Sequence, residues 1–416
     1  MQSIKTSLRI KRIRSIFEKM ELTTEPTQQT SHAAESDSPE IKTWDDLNVK
    51  PDVLRSIYSC GFETPSDIQK KAIKPMQDGF DVIAQAQSGT GKTGAFTIGA
   101  LHHLDASKQT TQIIVLAPTH ELVSQIYSVF CSMTAFVEGV VIRTMVGGTS
   151  VSDDMMDLRT NVPHIVVGCT GRVFDMIKRR AISTRDVKIC ILDEADEMLS
   201  IGFKDQIYNI FQQLPSNIQI ALFSATMPPS IIQLTTKFMR DPVKITMQPQ
   251  ELNLDGIKQY YIAMHSDFDK IECLKDLFSK LTISQTIIYA NDVKRVKDLY
   301  EVMSKEDFSV CCIHRDMTKQ ERSDVITKFR ESGYRILISS NITARGIDVQ
   351  QVNTVINFDV PRSVDTYLHR IGRSGRWGRK GVAINFVTKM DIHQMRYIEQ
   401  HYGVVIEEMP ANVEFY

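Results

Sequence analysis

The segment Ala86-Gln87-Ser88-Gly89-Thr90-Gly91-Lys92-Thr93 follows a short apolar run at residues 81–84 and precedes a stretch of helical length. A glycine-rich turn between a strand and a helix directs backbone N–H groups toward a phosphate. Lys92 adds a positive charge for the β- and γ-phosphates, and the Thr93 hydroxyl is placed to bind Mg²⁺. Ala86 stands where the first glycine of the general pattern would be, so the segment indicates a nucleotide site without proving one.

On both sides of this loop, short β-branched runs alternate with longer amphipathic segments. This alternation predicts an α/β fold, in which parallel sheets are flanked by helices. The runs form two series, separated by the segment 241–256, which has two prolines and no clear periodicity. We therefore predict a disordered extension at 1–40, a first domain at 41–243, a linker at 244–255 and a second domain at 256–416. The runs lie at 113–117, 165–167, 189–192 and 219–223, and then at 286–290, 309–313, 336–339, 355–358 and 382–387.

The composition is that of a globular protein from a reducing compartment. Its 416 residues are 42% apolar and 24% charged, enough for two or three domains with their own cores. The 49 basic and 50 acidic residues nearly cancel, so any surface for nucleic acid must be local. The seven cysteines include no CxxC pair and indicate neither a zinc cluster nor a disulfide framework. Apolar runs stay far below the ~18 residues of a membrane span, so we expect no membrane association.

The first 40 residues change sign halfway along. Residues 1–20 carry six basic side chains and one acid, whereas residues 21–40 carry five acids and no base. The second half has too little apolar surface to fold and is predicted to be disordered. The first half fits either a solvated basic arm or an organellar targeting peptide, and we favour the arm. We expect a cytoplasmic location, with the nucleus as the alternative.

An acidic pair follows the buried run at 189–192. Asp193 is expected to hold Mg²⁺ beside the Thr93 hydroxyl, because the ion needs a carboxylate there. Glu194 is the candidate to orient the attacking water. Acidic residues also favour the first turn of any helix. Next to a phosphate loop, however, the pair predicts hydrolysis of a nucleotide with ATP and Mg²⁺ as cofactors.

A basic cluster lies in the second series. Arg370, Arg373 and Arg376 recur at every third residue, so on a helix they would share one side and could converge on a triphosphate. The second series has no phosphate loop of its own, so these side chains would act as arginine fingers supplied in cis. Glycines at 372 and 375 argue against an ordinary solvated basic helix.

In this order the motifs resemble those of the DEAD-box RNA helicases, from about Trp44 to the end of the chain. The tetrapeptide at 193–196 is literally Asp-Glu-Ala-Asp. Residues 61–69, within 43–71, resemble the adenine-reading Q motif, with Trp44 where the family usually has a phenylalanine. Residues 224–226 match the family's motif that couples hydrolysis to strand separation, and residues 344–348 match the motif that contacts the ribose. Within the family, the segments at 83–94, 193–208 and 406–410 resemble the translation initiation factor 4A subfamily.

The resemblance implies two RecA-like domains, a helicase ATP-binding domain and a helicase C-terminal domain, with a nucleotide cleft between them. It implies an RNA-stimulated ATPase and RNA helicase that bends one strand of a short duplex in translation initiation. RNA would be held by its backbone and 2′-OH groups with little sequence preference. Initiation-factor or exon-junction-type scaffold proteins are the expected partners, and we expect a monomer.

The resemblance also assigns roles to residues by position. ATP binding falls to Trp44, Phe62, Gln69, Ala86, Gln87, Ser88, Gly89, Thr90, Gly91, Lys92, Thr93 and Asp348. Catalysis falls to Lys92, Asp193, Glu194, Arg373 and Arg376, with Thr93 and Asp193 as metal ligands. Coupling falls to Asp196, Ser224, Ala225, Thr226 and His369. RNA binding falls to Pro118, Thr119, His120, Gly147, Gly148, Thr170, Gly171, Arg172, Arg322, Ser340, Arg345 and Gly346.

Several RNA-facing positions depart from the family pattern, whereas the ATP-facing motifs keep it. His120 replaces the arginine of Pro-Thr-Arg-Glu-Leu, and Cys169-Thr170 replaces the Thr-Pro of Thr-Pro-Gly-Arg. In the second series, Arg315, Lys319 and Asn341 stand where Gly, Gln and Asp are usual. We therefore predict an active ATPase whose RNA affinity or RNA stimulation differs from that of a typical member. Two alternatives stay open: an exon-junction or RNA-processing role, and an ATP-dependent RNA clamp with weak unwinding.

Overall fold

A computed structural model describes residues 41–87, 89–199, 203–246, 257–280, 285–306, 308–343, 352–374 and 381–410. The chain forms two compact units that divide after Thr246. Each contains a seven-stranded parallel sheet with helices packed against it, so the predicted α/β class is confirmed. The extension at 1–40 and linker residues 247–255 lie outside the described residues.

The first unit is built on strands β1 to β7. They are β1 (Val82–Gln85), β2 (Ile113–Leu116), β3 (Ile142–Met145), β4 (Ile165–Gly168), β5 (Ile189–Asp193), β6 (Gln219–Ser224) and β7 (Val243–Thr246). Their order in the sheet is β3-β4-β2-β5-β6-β1-β7. Every residue of β2, β4, β5 and β6 is buried, as expected for parallel strands covered on both faces. Strand β7 extends through residues 244–246, the first part of the segment predicted as the linker.

The helices of the first unit follow a 3₁₀ turn at Asp45–Leu47. They are α1 (Pro51–Ser59), α2 (Asp67–Gln77), α3 (Lys92–Leu101), α4 (His120–Met133), α5 (Val151–Thr160), α6 (Thr170–Lys178), α7 (Ala195–Met198), α8 (Lys204–Gln213) and α9 (Pro229–Thr235). The sequence supplies their starts: Pro51 takes the first position of α1, and the Thr119 hydroxyl accepts the backbone N–H of Leu122 at 3.3 Å to cap α4. One core packs the buried faces of β4, β5 and β6 against α6 and α8.

The second unit repeats this architecture. Its strands are β8 (Ile257–Ala263), β9 (Gln285–Tyr289), β10 (Val310–Ile313), β11 (Ile336–Ser339), β12 (Val352–Asn357), β13 (Gly381–Val387) and β14 (Glu407–Glu408). Their order is β10-β11-β9-β12-β13-β8-β14. Its helices are α10 (Asp269–Lys280), α11 (Val293–Lys305), α12 (Lys319–Arg330), α13 (Val364–Ile371) and α14 (Ile392–Tyr402), with a 3₁₀ turn at Asn341–Thr343.

In a parallel sheet, the loops that leave the carboxyl ends of the strands all gather at one edge, where such folds bind their ligands. Most of the motif residues predicted from the sequence follow a strand in this way. Among the described residues, no helix is long and apolar enough to cross a membrane.

Candidate active site

Three neighbouring strands of the first unit, β5, β6 and β1, bring the nucleotide motifs together. The phosphate loop leaves β1, the acidic tetrapeptide begins at the end of β5, and the 224–226 motif begins at the end of β6 between them. Gln85 pairs with Ser224 across β1 and β6. The backbone N–H of Ala86 also donates to the carbonyl of Ser224 at 3.0 Å. The phosphate loop and the coupling motif are therefore joined by main-chain hydrogen bonds.

The phosphate loop has the backbone that its glycines predict. Gly89 and Gly91 have φ angles of +87° and +100°, in the left-handed region that side chains disfavour. A Cβ at Gly91 would also lie 2.8 Å from Nε2 of Gln69. Lys92 opens helix α3, is only 7% exposed, and its Nζ has no partner in the part of the chain that the structure describes. A buried ammonium without an anion fits a site for phosphate.

The acidic pair lies at the tip of β5. Asp193 is the last residue of the strand, and its Oδ1 accepts the backbone N–H of Glu194 at 3.0 Å. Glu194 has φ of +52°, an uncommon backbone conformation for a residue with a side chain, and both residues are buried. Burial, together with the nearby Glu194 carboxylate, raises the pKa of Asp193 to about 7. Two buried carboxyl groups on adjacent residues suit the binding of a cation.

The last residue of the tetrapeptide, Asp196, accepts hydrogen bonds from the 224–226 motif. The carboxylate of Asp196 accepts the Ser224 hydroxyl at 2.6 Å through Oδ1 and the Thr226 hydroxyl at 2.7 Å through Oδ2. Asp196, Ser224 and Thr226 are all buried, and Ala225 between them is 1% exposed. The acidic loop of β5 therefore cannot shift without disturbing the end of β6.

The Q-motif side chains pack onto the phosphate loop and into the core. Oε1 of Gln69 accepts the Ser66 N–H at 2.7 Å, and its Nε2 donates to the Gly91 carbonyl at 3.3 Å. Its amide keeps one N–H and one oxygen lone pair for a base. Trp44 is fully buried and meets Phe62 edge-to-face at 6.3 Å between ring centroids. Trp44 therefore exposes no ring face here, whereas Phe62 is half-buried. Contacts with adenine stay predictions.

The candidate RNA residues of the first unit lie at the carboxyl ends of β2, β3 and β4, beside the nucleotide motifs. After β2, Thr119 caps α4 and His120 begins it, while Gly147 and Gly148 follow β3. Gly148 has φ of +82°, and a Cβ at Gly147 would lie 3.8 Å from Nε2 of His120. The structure thus brings residues more than 25 positions apart in the sequence into one cluster; Pro118 also belongs to it.

Two of the predicted RNA residues are already engaged by the protein. Arg172 forms an ion pair with Asp154 and donates to Oγ1 and to the carbonyl of Thr149 at 2.8 and 2.9 Å. Thr170 donates its hydroxyl to Oε1 of Gln206 at 2.7 Å. Gly171, between them, remains exposed. Arg172 therefore secures the loop after β3.

In the second unit, the predicted common face of the three arginines is wrong for Arg370. This side chain is fully buried, and its five N–H groups donate to protein acceptors. The acceptors are the side-chain oxygens of Asn291, Asn341 and Asn357 and the carbonyl of Asp359. The prediction failed because these acceptors draw the guanidinium into the core and because α13 ends at Ile371, so Arg373 does not continue the same helix face.

The structure also describes four other predicted residues of the second unit, whose roles stay predictions. His369 and Arg373 are buried, and Nε of Arg373 donates to the His369 carbonyl at 3.2 Å. Ser340 follows β11, and its N–H donates to the carbonyl of Ile313 at 3.4 Å. Arg322 lies half-buried on α12. Five predicted site residues lie outside the described residues: Ser88 of the phosphate loop, and Arg345, Gly346, Asp348 and Arg376.

The residues that support these motifs were not predicted from the sequence. Gln206, Thr149 and Asp154 fix the loops after β3 and β4, while Asn291 and Asn357 hold Arg370. A search for polar residues at each strand end would have found Asn291 and Asn357. No local pattern marks Gln206, because it lies on a helix 36 residues after its partner.

Comparisons with known proteins agree with this geometry. The DEAD/DEAH box helicase family model matches residues 66–234, and the helicase conserved C-terminal domain model matches residues 269–378. The chain is 50% identical to the ATP-dependent RNA helicase eIF4A of Scheffersomyces stipitis over 373 residues, which is 90% of this chain and 94% of the relative. It is 50% identical to eIF4A of Schizosaccharomyces pombe, covering 90% and 95%.

Solved structures show the same fold. One is S. cerevisiae Dbp5 bound to RNA and ADP BeF3, at 35% identity and a TM-score of 0.83, covering 88% of this chain and 95% of that one. Another is Mss116p bound to ssRNA and AMP-PNP, at 26% identity and a TM-score of 0.82, covering 92% and 82%. A phosphate loop beside an acidic tetrapeptide, followed by a second α/β unit, defines a nucleotide-driven helicase core. The chain belongs to the DEAD-box ATP-dependent RNA helicases, in the eIF4A subfamily.

The predicted enzyme class, an RNA-stimulated ATPase and helicase, is thereby confirmed, and so are the two RecA-like domains. The use of a nucleotide follows from the same family. The individual site residues stay predictions.

Proposed function

We propose that the helicase binds ATP with Mg²⁺ at the carboxyl ends of β1, β5 and β6 and uses it to separate short RNA duplexes in translation initiation. One observation carries the nucleotide site: the buried Nζ of Lys92 has no protein partner within the described ranges. A phosphate oxygen would satisfy this ammonium, and the N–H groups around Gly89 and Gly91 would bind further oxygens. Ala86, Gln87 and Thr90 complete the loop.

The carboxyl groups of β5 fit the metal. Thr93 and Asp193 would hold Mg²⁺. Burial and the adjacent Glu194 carboxylate raise the pKa of Asp193, and a bound cation would favour its charged form. When bound, the ion neutralises charge on the β- and γ-phosphate oxygens. Glu194, adjacent and buried, would orient the attacking water. Arg373 and Arg376 remain the candidates for the arginine fingers.

Coupling to RNA would pass through Asp196. Its two hydroxyl partners lie at the end of β6 and in the loop that follows, while Glu194, two residues earlier, would face the reaction. A change at the γ-phosphate would therefore be transmitted to Ser224 and Thr226 by two buried hydrogen bonds. His369 is proposed to join this relay.

RNA is proposed to bind at the loops after β2, β3 and β4. Dbp5 and Mss116p, which share the fold, carry RNA in their structures. Here the exposed backbone at Gly148 and Gly171 and the α4 start at Thr119 offer N–H donors for phosphates. The eIF4A relatives support translation initiation over an exon-junction role. We also propose a cytoplasmic monomer that works with scaffold proteins.

Steady-state ATP hydrolysis with and without single-stranded RNA tests this function. Glu194→Gln keeps the size of the side chain but removes the charged carboxylate that would orient the water and accept its proton. We expect its RNA-stimulated rate to fall about 10²-fold or more. Glu138→Gln, the same change at an exposed position, should keep the wild-type rate.

Two outcomes would contradict the proposal. A Glu194→Gln variant with the wild-type rate would remove Glu194 from the reaction. A wild-type rate that does not respond to RNA would reject coupling and favour the RNA clamp.

Removal of Mg²⁺ with EDTA should abolish hydrolysis, and restoration by added Mg²⁺ would separate metal loss from unfolding.

A further inference from the structure

The second unit contains a groove that none of the nucleotide or RNA motifs uses. It has a volume of about 710 Å³ and lies where β8 and β13 end, against helix α14. Its floor is apolar: Val387, Met395 and Ile406 line it and are 8%, 6% and 4% exposed. Concave sites of this size with an apolar floor are typical of ligand and peptide binding.

The loops beside the groove expose large apolar side chains. Phe268 follows β8 and Met390 follows β13, and each is 89% exposed. Ile392, in the first turn of α14, lines the groove and is 40% exposed. In the sequence, Phe268 and Met390 follow the lining residues His265 and Lys389 by three residues and one residue, so a partner in the groove could also bury them, which is favourable.

The charge of the groove indicates the chemistry of its partner. Lys389 and Arg396 line it, are exposed, and form no ion pair with any described residue. Among the described lining residues the one carboxylate is Glu399, and its Oε1 is engaged by the protein, accepting the backbone N–H of Ile406 at 2.9 Å. Two unpaired cations beside an apolar floor complement a segment that carries both carboxylates and apolar side chains.

The position of the groove argues against RNA as its occupant. The RNA candidates Arg322 and Ser340 follow β10 and β11, at the opposite end of the sheet order from β13 and β8. The neighbouring edge strand β14 consists of exposed Glu407 and Glu408, which would repel a polyanion. A short acidic peptide can place a few carboxylates at Lys389 and Arg396 and keep the rest away from these glutamates.

We propose that this groove docks an acidic peptide segment of a partner protein, with an apolar side chain inserted over Val387, Met395 and Ile406. Lys389 and Arg396 would pair with its carboxylates, and Phe268 and Met390 would close over its flanks. The interaction would recruit the helicase through its second unit while the predicted RNA-binding loops stay accessible.

A peptide-binding titration with the full-length protein tests the docking site. The probe is a fluorescently labelled synthetic peptide in which Asp alternates with Leu and Phe, and its binding is measured by anisotropy. One matched peptide replaces every Asp with Asn, and another replaces Leu and Phe with Ala. We expect the parent peptide to bind at least about tenfold more tightly than either.

Protein variants locate the binding. Lys389→Glu combined with Arg396→Glu should weaken the parent peptide about tenfold or more, because it turns attraction into repulsion. Lys305→Glu, the same change at an exposed position on α11, should leave binding unchanged. RNA-free ATP hydrolysis should remain at the wild-type rate in both variants, which checks that they fold.

Three results would overturn the proposal. One is equal binding by the double variant and by wild type. Another is equal binding of the Asn and Asp peptides. The third is a loss of binding to a single-stranded RNA, rather than to the peptide, in the double variant, which would assign the groove to nucleic acid.

Discussion

The guanidinium of Arg370 donates two hydrogen bonds to a single oxygen of Asn341, from Nε at 2.9 Å and from a terminal nitrogen at 2.6 Å. This contact joins two elements of the second unit, because Asn341 begins the 3₁₀ turn after β11 and Arg370 lies on α13. All the acceptors around the guanidinium are neutral amides. Burial lowers the pKa of Arg370 to about 10. Its charge therefore opposes folding at neutral pH, and this penalty declines only as the pH rises above about 10.

Asn341→Asp should stabilise the second unit. The guanidinium is buried with either residue, so the only added cost is the desolvation of one carboxylate. The gain is that two neutral hydrogen bonds become charge-assisted. We expect the free energy of unfolding to rise by about 1–2 kcal/mol, measured by urea denaturation at pH 7.

Asn353→Asp is the matched control for this change. Asn353 lies on β12, half-buried and bonded to Thr354, with no cation contact among the described residues. It should give no gain in stability. A loss of stability in Asn341→Asp would mean that the neutral cage is the better partner for Arg370.

His120→Arg should tighten RNA binding. An arginine at the start of α4 adds a permanent positive charge among the predicted RNA loops, which a histidine does not carry. We expect the RNA concentration for half-maximal ATPase stimulation to fall severalfold. The slope of log affinity against log salt should grow by up to about one unit. His393→Arg, at an exposed position of α14, should change neither quantity. An unchanged salt slope in His120→Arg would show that residue 120 does not neutralise a phosphate.

The sequence was sufficient to predict the architecture, because the hydrophobic pattern and the motifs each lie within a short stretch of the chain. Buried runs such as 189–192 and 219–223 became strands β5 and β6, and the rule that strand ends share one edge placed Lys92, Asp193 and Ser224 together. Arg370 shows the limit. Its spacing of three residues from Arg373 suggested that the two side chains share a helix face. Instead, the Arg370 side chain points toward three asparagines at the strand ends and is buried against them. Such contacts join residues up to 79 positions apart, and no local pattern contains them.

The Q motif illustrates the same limit in a different way. The sequence identified Gln69 and Trp44 as adenine-binding residues by position. It could not reveal that Gln69 packs on Gly91 or that Trp44 is fully buried, since both depend on tertiary packing. The supporting bond from Thr170 to Gln206 was invisible for the same reason.

Ser224→Ala should separate ATP hydrolysis from unwinding. It removes one of the two hydroxyls that Asp196 accepts and leaves a buried carboxylate oxygen short of a donor. We expect a loss of about 1–3 kcal/mol in stability and a larger fall in duplex unwinding than in RNA-stimulated ATP hydrolysis. Ser132→Ala, at an exposed position of α4, should affect neither. Equal losses of both activities would indicate that Asp196 serves the chemical step rather than coupling.

Thr170→Pro, which restores the family's residue, should be nearly neutral for stability. Thr170 is the first residue of α6, a position where proline is well tolerated because its N–H needs no helical partner. The preceding Cys169 already has extended backbone angles, φ −81° and ψ 143°, as a residue before proline requires. The lost bond to Gln206 costs about 1 kcal/mol, and the reduced freedom of the unfolded chain returns about 0.4–1 kcal/mol. Thr170→Val loses the same bond without that compensation, so thermal denaturation should give it the lower melting temperature. If Thr170→Pro instead melted well below Thr170→Val, the start of α6 would not accept proline, and the departure from the family at this position would reflect a different local backbone.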